Sequence, residues 1–345
     1  MTRRFVLILA AALVLAPAVA GAHHGAREVI FLGFGGTHEK NMKERVIPPF
    51  ERATGIKVLY VTGTTASNFA RVQAQKARPE ADVLWNNDLI HVIGKKQGLF
   101  AALDRERVAN LKDVYDLARD PERVGVMQGF QAHGLQYNTR VFKERGLSPP
   151  TSWYDLWKPE FKGRVGLHSW NSGYAHYFVA WITRLEHGSD AAFRKLKEVG
   201  PSAPTFPGTP AELDNLFKQG EVWIAHNGSS RAYELQAAGF PVDFVYPKEG
   251  TVIFGNWFNV LKGAPHAELA QAFVNYLIGA EAQALFAKHV FFGPINRQAK
   301  LDADTARKVP YGPEQVARMV KLDFEVMNAE MPRWTERWNK EIEGK

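Results

Sequence analysis

Short apolar runs that stop at glycine, asparagine or serine alternate along this chain with longer stretches carrying apolar residues at helical spacing. The runs at 28–34, 56–61 and 81–85 read as buried strands, and the amphipathic stretches after them read as helices. The first helix is expected over 38–53, broken midway by Pro48 and Pro49, the second over 67–76, and the third follows the turn Asn86-Asn87-Asp88 and ends near Lys96. Three strand–helix units in a row imply a parallel sheet with right-handed crossovers.

Past Gly129 the rhythm restarts. Residues 133–138 read as extended, 152–157 as a short aromatic helix and 164–168 as a strand whose turn, 169–173, opens a long helix to about Glu186. Helices are expected at 211–219 and 228–238, strands at 221–227 and 242–246, an extended run at 251–261, and mostly helix beyond Pro265. The pattern gives two α/β sets, the second inserted in the first, with crossings near 129–134, 254–259 and Pro294. The boundaries expected are a leader at 1–22, one lobe of 23–130 plus 258–296, and a second of 131–257 plus 297–345.

The first 22 residues stand apart. Arg3 and Arg4 precede an unbroken apolar run at 5–15, then Pro17 and the small residues Ala18, Ala20 and Ala22. That order is the signature of a cleaved secretory signal, with cleavage between Ala20 and Ala22, and the run is too short to span a bilayer of about 30 Å. The chain has no cysteine, which excludes disulfides, thiolate metal sites, a thiol nucleophile and a lipid anchor. The reading is therefore of a soluble periplasmic protein. Its net charge of +7 is scattered without a basic stripe, so no nucleic-acid partner is expected.

Three segments carry a resemblance. Residues 224–250 (IAHNGSSRAYELQAAGFPVDFVYPKEG), 153–165 (WYDLWKPEFKGRV) and 49–58 (PFERATGIKV) resemble the spermidine/putrescine-type periplasmic solute-binding proteins of ABC importers. The resemblance implies the type II periplasmic-binding-protein fold: two α/β lobes, joined by crossing hinge strands, that close on a small molecule. It also implies a monomer that delivers its ligand to an inner-membrane ABC permease, performs no catalysis and needs no cofactor or metal.

In α/β sheets ligands gather at the carboxyl ends of strands. The strand-end residues Thr37, His38, Glu39, Asn86, Asn87 and Asp88 are therefore candidate ligand contacts in the first lobe, with Trp170, Asn171, Ser172, Asn227, Ser229 and Arg231 in the second and Asn256 and Trp257 in the crossing strand. Asp88 and Arg231 are expected on loops, so losing either should cost binding more than folding. Polyamine binders of this family meet ammonium groups with carboxylates, but here Asn256 and Ser169-Trp170-Asn171 stand at the corresponding places. An unpaired dication is costly to bury. A small amino-acid-like or amine-bearing solute is expected ahead of a true polyamine. A ferric-iron, other metal or anion receptor and an enzyme on the same fold are the alternatives. No Gly-x-Ser-x-Gly, His-Glu-x-x-His or Walker pattern occurs, although His38, His168 and His226 all fall beside strand ends.

Overall fold

The computed structural model describes residues 27–344; the secretory leader read from the sequence lies outside them. The first strand, β1 (Glu28–Phe34), carries Val29, Phe31 and Leu32 into the core. It pairs in parallel with β2 (Lys57–Gly63) and β3 (Val83–Asn87). Two more strands complete this sheet: β4 (Val126–Met127) and, from far along the chain, β10 (Asn256–Val260), in the order β2-β1-β3-β10-β4. β10 runs antiparallel to both neighbours. The all-parallel expectation holds only for the local β–α units, because β10 enters from the other lobe and in the opposite sense.

The second sheet comprises β5 (Gln131–Asn138), β6 (Val165–Gly166), β7 (Ile224–Gly228), β8 (Val242–Val245), β9 (Thr251–Phe254) and β11 (Met319–Lys321). The order is β11-β9-β5-β7-β6, and β8 also pairs with β5, alongside β9. β5 is buried along its whole length and antiparallel to β7, β8 and β9.

The chain changes sheets between Met127 and Gln131 and again at Gly255, which separates β9 from β10. Asn256 and Trp257 thus belong to the first sheet, two residues ahead of the division read from the sequence. A third crossing passes Gly293, whose N–H and C=O exchange hydrogen bonds of 2.8 and 2.7 Å with Phe130.

Each sheet has its own core. Phe31, Phe50, Trp85, Phe258 and Phe273 pack under the first, and Trp153, Phe178, Trp181 and Trp338 under the second. Pro48 and Pro49 do not break the first helix. They sit in the first turn of Ile47–Thr54, immediately after a π turn at Met42–Val46, where a missing N–H is tolerated. Helix Ser189–Val199 went unread in the sequence, and β6 is two residues long where five were expected.

Candidate functional site

A cavity of about 450 Å³ opens between the carboxyl ends of the two sheets. Phe34, His38, Thr65 and Asn87 reach it from the first lobe, Asn171, Ser172, Tyr174, Ser230, Arg231 and Glu234 from the second, and Gly255 and Asn256 from the crossing. Local chain geometry explains the positions. β7 ends at Gly228, so the helix Ser229–Ala237 starts at the cleft and puts Arg231 in its first turn. The helix Gly173–Leu185 likewise begins there, with Tyr174 in its first turn. Neither helix start is capped by a side chain, so backbone N–H groups and the positive dipole ends remain for a ligand.

The charged centre is Arg231. Its Nη1 donates to Glu234 Oε2 at 2.7 Å, while its Nε is buried without a partner. Burial opposes its charge, but Tyr174 and Glu234 outweigh burial and hold the guanidinium above its ordinary pKa. Facing it, His38 is pushed down to about 4 by burial and by the charge of Arg231, and its Nδ1 is also unpartnered. Asp214 nearby is pushed up to about 6 by burial. The cleft thus offers one permanent cation with an adjacent carboxylate, a neutral imidazole, and amide and hydroxyl groups.

Six of the candidate contacts line the cavity: His38, Asn87, Asn171, Ser172, Arg231 and Asn256. Asn87 also caps its own helix, accepting from Ile90 N–H at 3.0 Å. The others do not line it. Thr37 is exposed, and Glu39 pairs with Lys43 at 2.6 Å. Asn86 donates to Asn259 at 2.8 Å and Asn227 to Gln136 at 2.7 Å, both within the sheets. Ser229 accepts from Ala132 N–H. Trp170 is buried, and its backbone N–H donates to Glu343 of the C-terminal turn at 2.7 Å. Alternation along a strand accounts for Asn86 and Asn227, which lie within β3 and β7 and point into the sheets.

Asp88 requires the largest correction. It is fully buried and accepts from Trp257 Nε1 at 2.7 Å, Gly255 N–H at 2.9 Å and Tyr177 O–H at 3.1 Å. Trp257 is likewise an interior residue, stacked on His91 with ring centroids 4.0 Å apart. Both form the joint between lobes and neither contacts the cavity.

The three histidines beside strand ends do not come together. His168 and His226 lie in the second core with His133, whereas His38 belongs to the cleft. His226 Nε2 accepts from His168 N–H at 3.2 Å, which leaves its Nδ1 to donate to His133 Nε2 at 3.0 Å. Burial lowers all three pKa values. Among the described residues, no group of three or more His, Asp or Glu side chains is arranged to hold a metal ion.

Sequence reasoning missed Phe34, Gln131, Tyr174, Glu234, Phe254 and Phe292, which also line the cavity. Tyr174 and Glu234 were within reach, each standing three residues after a flagged position.

Residues 45–311 match the family model described as bacterial extracellular solute-binding protein. The chain belongs to that family. It is 26% identical over 280 residues to spermidine/putrescine-binding periplasmic protein 1 of Haemophilus influenzae, covering 76% of this chain and 75% of that protein. It is 23% identical over 328 residues to the gamma-aminobutyric acid-binding protein of Pseudomonas aeruginosa, 90% of each. The crystal structure of a solute-binding protein from Bordetella parapertussis superposes with a TM-score of 0.81 at 22% identity, over 92% of this chain and 99% of that one. The two-sheet α/β fold is shared with that structure. Among the described residues, no helix is long and apolar enough to cross a membrane.

Proposed function

We propose that this protein is the periplasmic receptor of an ABC importer, capturing a small zwitterionic, amino-acid-like solute between its lobes and presenting it to an inner-membrane permease. The observation that carries this reading is the Arg231–Glu234 pair beside the uncapped starts of two helices, inside a cleft between two sheets linked by crossing segments. Arg231 and the helix N–H groups suit a carboxylate, and Glu234 suits an ammonium. The relatives' named ligands, polyamines and gamma-aminobutyric acid, support an amine-bearing solute. Asp88 is consumed by the interlobe joint, so the cleft lacks the second carboxylate that a polyamine would need. Lobe closure would bury the solute.

The reading is tested by a thermal-shift screen of amino acids, polyamines and metal ions on the purified mature protein, paired with small-angle scattering. A binding solute should raise the melting temperature and compact the protein. A chain that binds none of them, or converts any of them to product, would refute it.

A further inference from the structure

We infer, building on the receptor reading above, that Glu343 is a positioning residue for the cleft: its carboxylate fastens the rim segment 169–174 to the C-terminal turn and so sets solute affinity without touching the solute. Two rim segments of the second lobe have no regular structure of their own. Residues 167–172 and 203–209 belong to no helix or strand, yet Asn171, Ser172, Gly208 and Thr209 line the cavity. Backbone without a helix or strand ladder keeps one geometry only where other groups hold it.

Glu343 supplies that hold. Its Oε1 accepts from the backbone N–H of Trp170 and from the indole Nε1–H of Trp338, each at 2.7 Å, and its Oε2 accepts from Ser169 Oγ at 3.4 Å. Hydrogen bonds to a carboxylate are the strong kind. The Trp170 C=O is fixed as well, accepting from His176 Nε2 at 2.9 Å. Its indole is buried beside His176 and Trp338, with ring centroids 4.5 and 5.9 Å away. Trp170 is therefore pinned at both backbone groups, one residue before Asn171. The turn beyond the pin is closed by Ser172 N–H, which donates to Ser169 C=O at 2.9 Å and leads into the helix Gly173–Leu185 that carries Tyr174. Trp338 reaches the other rim segment too. Phe206 packs edge-on against it at 6.5 Å, and Ser169 N–H donates to Pro207 C=O at 2.9 Å. Glu343 and Trp338 both lie in the turn Trp338–Glu343, which continues the helix Phe324–Arg337, and neither lines the cavity. A rim that keeps its binding geometry about one-tenth of the time binds about tenfold more weakly.

Titration calorimetry and hydrogen exchange on the mature protein test this role. The calorimetric probes are L-alanine, L-glutamate, γ-aminobutyrate and putrescine, and the one that the parent binds most tightly is the reference. Glu343→Ala should weaken the reference probe at least tenfold. Without any solute, its amides at 169–175 and 204–210 should exchange at least tenfold faster than the parent's. Glu343→Gln keeps one acceptor oxygen where the two N–H groups converge and should stay within threefold of the parent. Ser189→Ala is the control: it removes the acceptor of the Trp334 indole N–H, 3.0 Å away on the same C-terminal helix, and should leave affinity within twofold. Circular dichroism confirms that each variant is folded before titration. Full affinity in Glu343→Ala, or rim exchange no faster than in the parent, would overturn the positioning role and leave the receptor reading standing. So would an equal loss of affinity in Ser189→Ala, which would make the effect one of helix stability alone. A parent that binds none of the four probes would count against the receptor reading, and the exchange rates would still decide the part played by Glu343.

Discussion

The carboxylate of Asp88 and the hydroxyl of Tyr177 meet 3.1 Å apart across the two lobes. Asp88 opens the helix Asp88–Lys96 of the first lobe, and Tyr177 lies in the helix Gly173–Leu185 of the second. The same carboxylate takes N–H donors from Gly255 and Trp257, which lie in the crossing itself. One buried anion thus holds both lobes and the hinge. Burial pushes its pKa up, while those donors and the charge of Lys321 work the other way. Asp88→Ala would strand three buried donors, each costing about 1–3 kcal/mol. The expected result is a loss of at least 3 kcal/mol in urea unfolding, reversing the loop-based expectation that binding would suffer more than folding. Tyr177→Phe deletes one donor and should cost about 1 kcal/mol. An Asp88→Ala protein as stable as the parent would show that the joint carries no load.

Arg231 stands in the opposite position. Its side chain is about one-third exposed, its charge faces the cavity, and its one strong partner is Glu234 in the next turn of its own helix. An exposed pair of that kind contributes little to folding, about 0.5 kcal/mol. A charge-assisted hydrogen bond to a ligand carboxylate is worth about 1.5–3 kcal/mol. Arg231→Ala should therefore weaken binding of whichever solute the parent takes in calorimetry by roughly 10- to 100-fold and lower the unfolding free energy by under about 1 kcal/mol. Arg231→Lys should recover part of the affinity. Undiminished binding by the alanine variant would remove Arg231 from the site.

The contrast between these two residues shows what the sequence could reveal. Strand–helix alternation located most elements, since buried strands such as β1 and β7 stop at glycine and the helices after them are amphipathic. The cleft followed from those strand ends, and His38, Ser172 and Arg231 were legible as a result. Which way a strand-end side chain points was not legible, because a one-residue offset sends it to the opposite face. Asn87, the last strand residue and the helix N-cap, reaches the cleft, whereas Asp88, the first helical residue, turns into the joint between the lobes. Long-range pairing was equally hidden. Nothing local in residues 256–260 shows that they insert antiparallel between β3 and β4, nor in 319–321 that they pair with β9. Phe292 enters the cleft from the third crossing, far from any strand end that was flagged.

The third crossing allows a sharp test at Gly293. A Cβ placed there would lie 2.0 Å from the carbonyl oxygen of Pro310 and 3.0 Å from that proline's Cβ. Backbone cannot yield as a flexible side chain does, and Gly293 is fixed on its other side by its two hydrogen bonds to Phe130. Gly293→Ala should force the crossing strand off Phe130 and destabilise the protein by about 1–3 kcal/mol. The same substitution at Gly173, where a Cβ would meet no atom within 4 Å, is the matched control and should be near neutral. Equal stability of the two variants would mean that the 310 segment moves freely away from the hinge.

Acid should weaken the fold through the buried histidines of the second lobe. Burial is the first cause for each: His133 is pushed down to about 3, His168 to about 4, and His226 well below its ordinary value, with neighbouring histidines lowering His133 and His226 further. In the unfolded chain each has its ordinary pKa of about 6.5. Below that value the unfolded state takes up protons that the folded state refuses, so stability is complete above about pH 6.5 and falls with acidification. Each histidine contributes about 1.4 kcal/mol per pH unit in that window, or roughly 4 kcal/mol for the three between pH 7.5 and 5.5. Asp214, pushed up to about 6, has the opposite sign and returns about 1 kcal/mol over the same range. His38, also pushed down to about 4, adds about 1 kcal/mol of the same sign, so a net loss of about 4 kcal/mol is expected in urea melts at the two pH values. Imidazole carbon shifts for His133, His168 and His226 should stay those of neutral rings down to pH 5. Titration of these three rings near pH 6.5 in the folded protein, or urea midpoints that do not move, would contradict the neutral cluster.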